Sequence, residues 1–248
     1  MNLALRPAAL LLAALPLAAE PVGGIDAKAL VREVETQYRG KTSHGTARMR
    51  IATEHWKREL TMEMWGEGRE RFLAVIRQPK KERDTATLKR AGEVWNYLPK
   101  IDRLMKIPSS LMGDSWMGSH LTNDDLVKED KTEELFDLKV LSVEGSTVTI
   151  QADPKPDAAV VWGRLVYRID RERVIGIDVT YFDEELASAR AMVFDRVEKV
   201  EGRWLPLRMR ITPTTKPKES TEILYERIEF DSPLDPDLFS LRSLRKKR

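Results

Sequence analysis

The stretch GTARMRIATEHWKRELTMEMWGE, residues 45–67, decides the fold. In Gly45–Glu54 the apolar Ala47, Met49 and Ile51 alternate with Thr46, Arg48 and Arg50. In Trp56–Glu67 the series Leu60, Met62 and Met64 alternates with Thr61, Glu63 and Trp65. A period of two places successive side chains on opposite faces, so both runs read as antiparallel strands with one wet and one apolar face. Further strand patterns follow at Arg69–Arg77, Asp84–Arg90, Glu93–Leu98 and Arg103–Ile107, with Pro99–Asp102 as a turn. After an interruption they resume at Phe136–Val143, Thr147–Ala152, Val160–Asp170, Val174–Phe182, Ser188–Val197, Trp204–Thr212 and Ser220–Phe230. Asp235–Leu241 reads as a single helical turn.

Upstream, Asp26–Tyr38 reads as a helix. Asp26 supplies the cap, Gly40 the stop, and Ala27, Leu30, Val31, Val34 and Tyr38 share one face. The interruption Pro108–Glu129 predicts a short helix beginning at Pro108, weakened by Gly113 and Gly118, and a second capped by Thr122 or Asn123 through Val127. The expectation is a mainly β domain with a few helices. A single antiparallel sheet of about 11 strands or more curls, because open sheets rarely exceed about ten strands without closing or splitting. It forms a half-open barrel plugged by the N-terminal helix and a helical lid insertion.

Residues 1–19 read as a signal peptide, with Arg6 as the basic start and Pro7–Ala19 as an apolar run too short to span a bilayer. This predicts export to the periplasm. The domain is expected over 20–244, with 245–248 as a basic tail; Arg242, Arg245, Lys246, Lys247 and Arg248 could touch anionic headgroups or simply be solvated. Lys and Arg total 42 against 40 Asp and Glu, interspersed along strands, which excludes the basic stripe of a nucleic-acid binder. The absence of cysteine excludes a disulfide framework and an N-terminal Cys lipid anchor.

Little in the chain points to chemistry. His44, His55 and His120 lack metal spacing. Ser109, Ser110, Ser115 and Ser119 form no nucleophile elbow. Asp124/Asp125, Glu129/Asp130 and Asp183/Glu184/Glu185 read as solvated caps and turns. The expectation is a protein that is not an enzyme and uses neither metal nor cofactor. Methionines and aromatics suggest an apolar site instead: Met62, Met64, Trp95, Tyr97, Met105, Leu111, Met112, Trp116 and Met117, with Arg103 holding a headgroup or latching the lid. Met adapts to irregular apolar partners, although core packing accounts for the same residues.

The run Trp95-x-Tyr97-x-Pro99, then Arg103, Met117-Gly118-Ser119 and Asp124-Asp125-Leu126, resembles the signature of bacterial outer membrane lipoprotein-sorting proteins of the LolA/LolB-like superfamily. Tyr181-Phe182-Asp183, Trp204-x-Pro206, Thr221 and Phe239-x-Leu241 extend the resemblance over the mature chain. His120 and Leu121 depart from it, standing where the family often has an acidic residue and an aromatic. The resemblance implies a half-barrel whose apolar cavity holds acyl chains, a periplasmic carrier or acceptor in outer-membrane lipid or lipoprotein trafficking, and an inner-membrane RND-type transporter as partner. A lipid-sensing module on the same fold that signals to a membrane protein, a structural envelope protein with a filled barrel, and a lipid hydrolase are the alternatives.

Overall fold

The computed structural model describes residues 24–128 and 131–245; the expected signal peptide, Glu129/Asp130 and the last three basic residues lie outside them. Thirteen strands form one sheet: β1 (Thr42–Ala52), β2 (Lys57–Glu67), β3 (Arg71–Gln78), β4 (Ala86–Arg90), β5 (Glu93–Leu98), β6 (Arg103–Lys106), β7 (Phe136–Glu144), β8 (Thr147–Pro154), β9 (Arg164–Asp170), β10 (Ile175–Phe182), β11 (Ser188–Val200), β12 (Arg203–Pro213) and β13 (Ser220–Phe230). Their order is β6-β5-β4-β3-β2-β1-β13-β12-β11-β10-β9-β8-β7, with every neighbouring pair antiparallel. All thirteen strand patterns named from sequence form strands, slightly more than the approximate count of eleven, and the sheet is not closed. Its two edges, β6 and β7, are consecutive in sequence, so the segment joining them must cross the open side.

That segment and the N-terminal helix supply the plug. α1 (Ala27–Thr36) starts where Asp26 accepts a hydrogen bond from the Ala29 amide at 3.0 Å, and it buries Val31. Gly40, at φ +58, turns the chain into β1. In the insertion, the expected helix at Pro108 is instead two 3-10 turns, Ser109–Leu111 and Trp116–Gly118. α2 (Asn123–Lys128) begins as expected. Thr122 Oγ1 accepts from the Asp125 amide (3.1 Å) while Asp125 Oδ2 accepts from the Thr122 amide (2.7 Å), a reciprocal capping box. α3 (Thr132–Leu135) is a single turn that the pattern did not show. β9 begins at Arg164 rather than Val160, leaving Val160–Gly163 as a loop. That loop runs so close to the next turn that a Cβ on Gly163 would stand 2.2 Å from the Asp183 carbonyl oxygen.

The sheet has two different outer surfaces. Over β1, β2 and β11–β13 the outward residues include charged pairs across strands: Arg50–Glu59 (2.6 Å), Arg210–Glu222 (2.8 Å) and Arg208–Asp195 (2.5 Å). Over β3–β5 the outward residues Leu73, Val75, Ala86, Leu88 and Tyr97 are buried beneath the C-terminal segment, through Leu238, Phe239 and Leu244. β3 is therefore apolar on both faces, which accounts for its unbroken run Phe72–Ile76. The main core fills the concave face. No helix among the described residues is long and apolar enough to cross a membrane.

Candidate functional site

The concave face is occupied unevenly. One half of it, towards Ile51, Leu60 and Ile76, is filled by the insertion, which sends Trp116, Leu121 and Met117 into the core. The other half holds a cavity of about 190 Å³. The sheet contributes Met62, Met64, Val179, Met209, Ile223 and Tyr225; α1 contributes Val34 and Glu35, and the turn after it Tyr38; α2 contributes Asp124, Asp125 and Leu126; the β8–β9 loop contributes Val160 and Trp162. The wall is mostly apolar, as a site for a greasy ligand requires.

Arg190 on β11 holds the lid. Its Nη1 and Nη2 donate to Asp125 Oδ2 and Oδ1 at 2.8 and 2.7 Å, and Nη1 also donates to the His120 carbonyl at 2.8 Å. The side chains of Arg190 and Asp125 are 5% and 8% exposed. The guanidinium lies over Tyr181 (4.1 Å to the ring centroid) and Trp162 (4.5 Å), adding cation–π attraction. Burial opposes the Arg190 charge, but attraction to and hydrogen bonding with Asp125 outweigh it, and its pKa is raised. A bidentate pair of this kind fixes both distance and orientation, so it locks α2 onto the sheet.

Other contacts fasten the insertion. Trp116 Nε1 donates to Thr87 Oγ1 (3.1 Å), His120 lies against Thr221 Oγ1 (2.8 Å from Nδ1) and Glu219 (3.3 Å from Nε2), and Arg58 Nη1 donates to the Met117 carbonyl (2.7 Å). Met117 sits at φ +51, directly before Gly118 at φ +72. A left-handed methionine is sparsely populated backbone, held here by its surroundings. On the opposite side of the cavity, Thr132 Oγ1 donates to Glu35 Oε1 (2.5 Å), and Tyr167 hydroxyl reaches the same oxygen (3.2 Å), tying α1 and α3 to β9. Burial first, then the charge of Glu35, raise the Tyr167 pKa well above its ordinary value, so the hydroxyl stays protonated. Burial likewise raises the carboxyl of Asp124 against the opposing pull of Lys128.

Of the residues named from sequence, Met62, Met64 and Trp116 line the cavity, and Met117 packs against the core beside it. Leu111 is 44% exposed and Met112 half-buried; both belong to the outer turn of the insertion. Met105 is half-buried on β6, opposite Asn96. Trp95 and Tyr97 lie on the convex face, against the C-terminal segment, and not in the cavity. Arg103 is exposed on β6, and the latch position belongs to Arg190. The sequence carried one signal for Arg190: it is two residues before Met192, in phase with the buried positions of β11. An arginine on the apolar phase of a strand demands a buried partner. Among the described residues no group of three or more His, Cys, Asp or Glu is placed to hold a metal ion.

A family model described as "Uncharacterized protein" matches residues 68–246. The chain belongs to that family. A comparison with curated proteins found no match. Solved structures show the same fold at low identity. A DUF1329 family protein from Desulfovibrio piger superposes with a TM-score of 0.80 at 20% identity, covering 91% of this chain and 100% of that one. A domain from Vibrio parahaemolyticus described as outer membrane lipoprotein-sorting gives 0.77 at 19%, covering 89% and 98%. A LolA superfamily protein from Nitrosomonas europaea gives 0.72 at 12%, covering 88% and 99%. The fold is therefore LolA-like: a large open antiparallel sheet around helices, as the sequence resemblance implied.

Proposed function

We propose that this protein is a periplasmic carrier or acceptor that shields the acyl chains of a lipid or lipoprotein, with no catalytic step. The observation that carries this reading is the apolar cavity between the concave sheet and a lid fastened by one buried ion pair. The fold it shares with a domain described as lipoprotein-sorting points the same way. An RND-type transporter in the inner membrane, implied by the family resemblance, would be its partner in transfer.

The size of the cavity sets the mechanism. At about 190 Å³ it exceeds the ~150 Å³ pocket that accepts benzene but falls short of the roughly 300–1,000 Å³ of ordinary ligand sites. A whole acyl chain enters only if the insertion withdraws from the concave face. Burying an acyl chain yields about 0.8 kcal/mol per methylene. Disrupting a buried ion pair costs at most about 3–5 kcal/mol, so roughly four to six buried methylenes offset the loss of the Arg190–Asp125 latch. Longer chains bind with net gain, while relatching drives release.

A fluorescent acyl probe tests the reading. The protein is expected to bind the probe and yield it to lysophospholipid. Val179→Phe, which fills the cavity from β10, is expected to weaken binding at least tenfold with an unchanged melting temperature. No probe binding, or binding indifferent to Val179→Phe in a folded variant, would overturn the carrier function.

A further inference from the structure

Four turns at one end of the sheet form a charged surface that contributes nothing to the cavity wall. Because all strands are antiparallel, the β1–β2, β3–β4, β5–β6 and β12–β13 turns lie at the same end, on neighbouring strands. They expose Lys57, Lys80, Lys81, Lys100, Lys216 and Lys218. Most acids of these turns are tied to groups of the fold: Glu82 pairs with Arg58, Asp84 with Arg77, and Glu219 with His120 as well as, at 3.6 Å, with Lys216. Glu54 and Asp102 stay at the surface, Asp102 with Arg245 3.6 Å away. Between the lysines stand two apolar tips, Trp56 at 43% and Ile101 at 63% exposure. The β8–β9 and β10–β11 turns at the same end differ in sign, exposing Asp157, Glu184 and Glu185.

We propose that the lysine-bearing half of this end docks on an anionic phospholipid bilayer. Isolated apolar tips separated by lysines match a bilayer interface better than a folded partner, which would require a continuous apolar patch. Lysine stems lie along the apolar boundary while their ammonium groups meet lipid phosphates. The acidic half is repelled by the same surface, so the molecule leans onto the edge formed by β1–β6. The cavity-lining Ser43, Gly66 and Phe72 are at the opposite strand ends, so docking leaves them uncovered. The inference goes beyond the carrier reading and holds whatever the cavity contains.

The chain has no cysteine, so Ile101→Cys carries an environment-sensitive dye at one site. Flotation with equimolar phosphatidylglycerol and phosphatidylcholine vesicles is expected to recover the protein with a blue-shifted dye. Phosphatidylcholine alone should bind at least tenfold less, and added salt should weaken the anionic binding. Lys80→Glu with Lys81→Glu, and separately Lys216→Glu with Lys218→Glu, should each lower binding at least tenfold. The same charge change at Arg171→Glu with Lys199→Glu, beside the β9–β10 and β11–β12 turns at the opposite end, should lower it far less. Equal binding to both vesicles, an unshifted dye on bound protein, equal loss from the control reversals, or capture by an acidic protein with no vesicle binding would each overturn the proposal.

Discussion

Arginine–carboxylate pairs occur on both faces of the same sheet, and they do different work. On the convex face Arg50, Glu59 and Arg210, each about half exposed to water, form a ladder with the more covered Glu222. On the concave face Arg190 and Asp125 form one pair sealed from it. In water the Coulomb gain is screened and the long side chains lose entropy when held, so the outer pairs keep strands soluble and add little stability. Inside, each charge depends on the other, because either one alone would be buried without a counter-charge. Burial, not chemistry, turns one of these pairs into a latch.

The largest expected effect breaks the inner pair. Arg190→Ala should cost about 3–5 kcal/mol in urea unfolding and speed hydrogen exchange across α2. Arg190→Leu combined with Asp125→Leu should recover most of that loss, since no charge is left stranded. A single variant as stable as the parent would show that water already solvates the pair and that it does not hold the lid.

A pH titration sharpens the contrast at Glu133, which pairs with Arg32 (3.0 Å) and Arg69 (2.8 Å) at the foot of the lid. Burial raises its carboxyl, but the hydrogen bond to its own backbone and those two arginines prevail and hold the pKa below the ordinary value. A depressed folded pKa gives stability that is complete above the unfolded carboxylate range, near about 4.3, and is lost as pH falls through the folded value. Glu133→Gln should therefore be destabilised at neutral pH, and its gap from the parent should close below that range. A gap independent of pH would remove the ion pairs as its cause.

Smaller effects follow. Thr122→Ala removes half of the capping box and should cost about 1 kcal/mol by thermal unfolding. Arg50→Ala with Glu59→Ala should leave the thermal unfolding curve superimposable on the parent's. A clear shift there would contradict the division between inner and outer pairs.

What the sequence made legible follows from which faces are wet. Over β1 and β2 one face meets water, so alternation alone placed Ala47, Met49, Met62 and Met64 inside. Over β3–β5 both faces are buried, and alternation showed that Trp95 and Tyr97 share a side without showing which side. The cover on that side comes from Leu238 and Phe239, far along the chain. The cap at Thr122 was readable because its partner is three residues away. The partner of Arg190 is 65 residues away, and no local pattern connects them. α3 is four residues long, too short for a helical period to register.

The central claim, that the half-filled concave face takes up acyl chains, is tested most directly by native mass spectrometry of the protein purified without detergent from its own cells, followed by lipid extraction. The account predicts discrete added masses that dissociate as phospholipid, another lipid or acylated peptide, and that are depleted in Val179→Phe. A bare polypeptide mass that persists after incubation with membranes would contradict it.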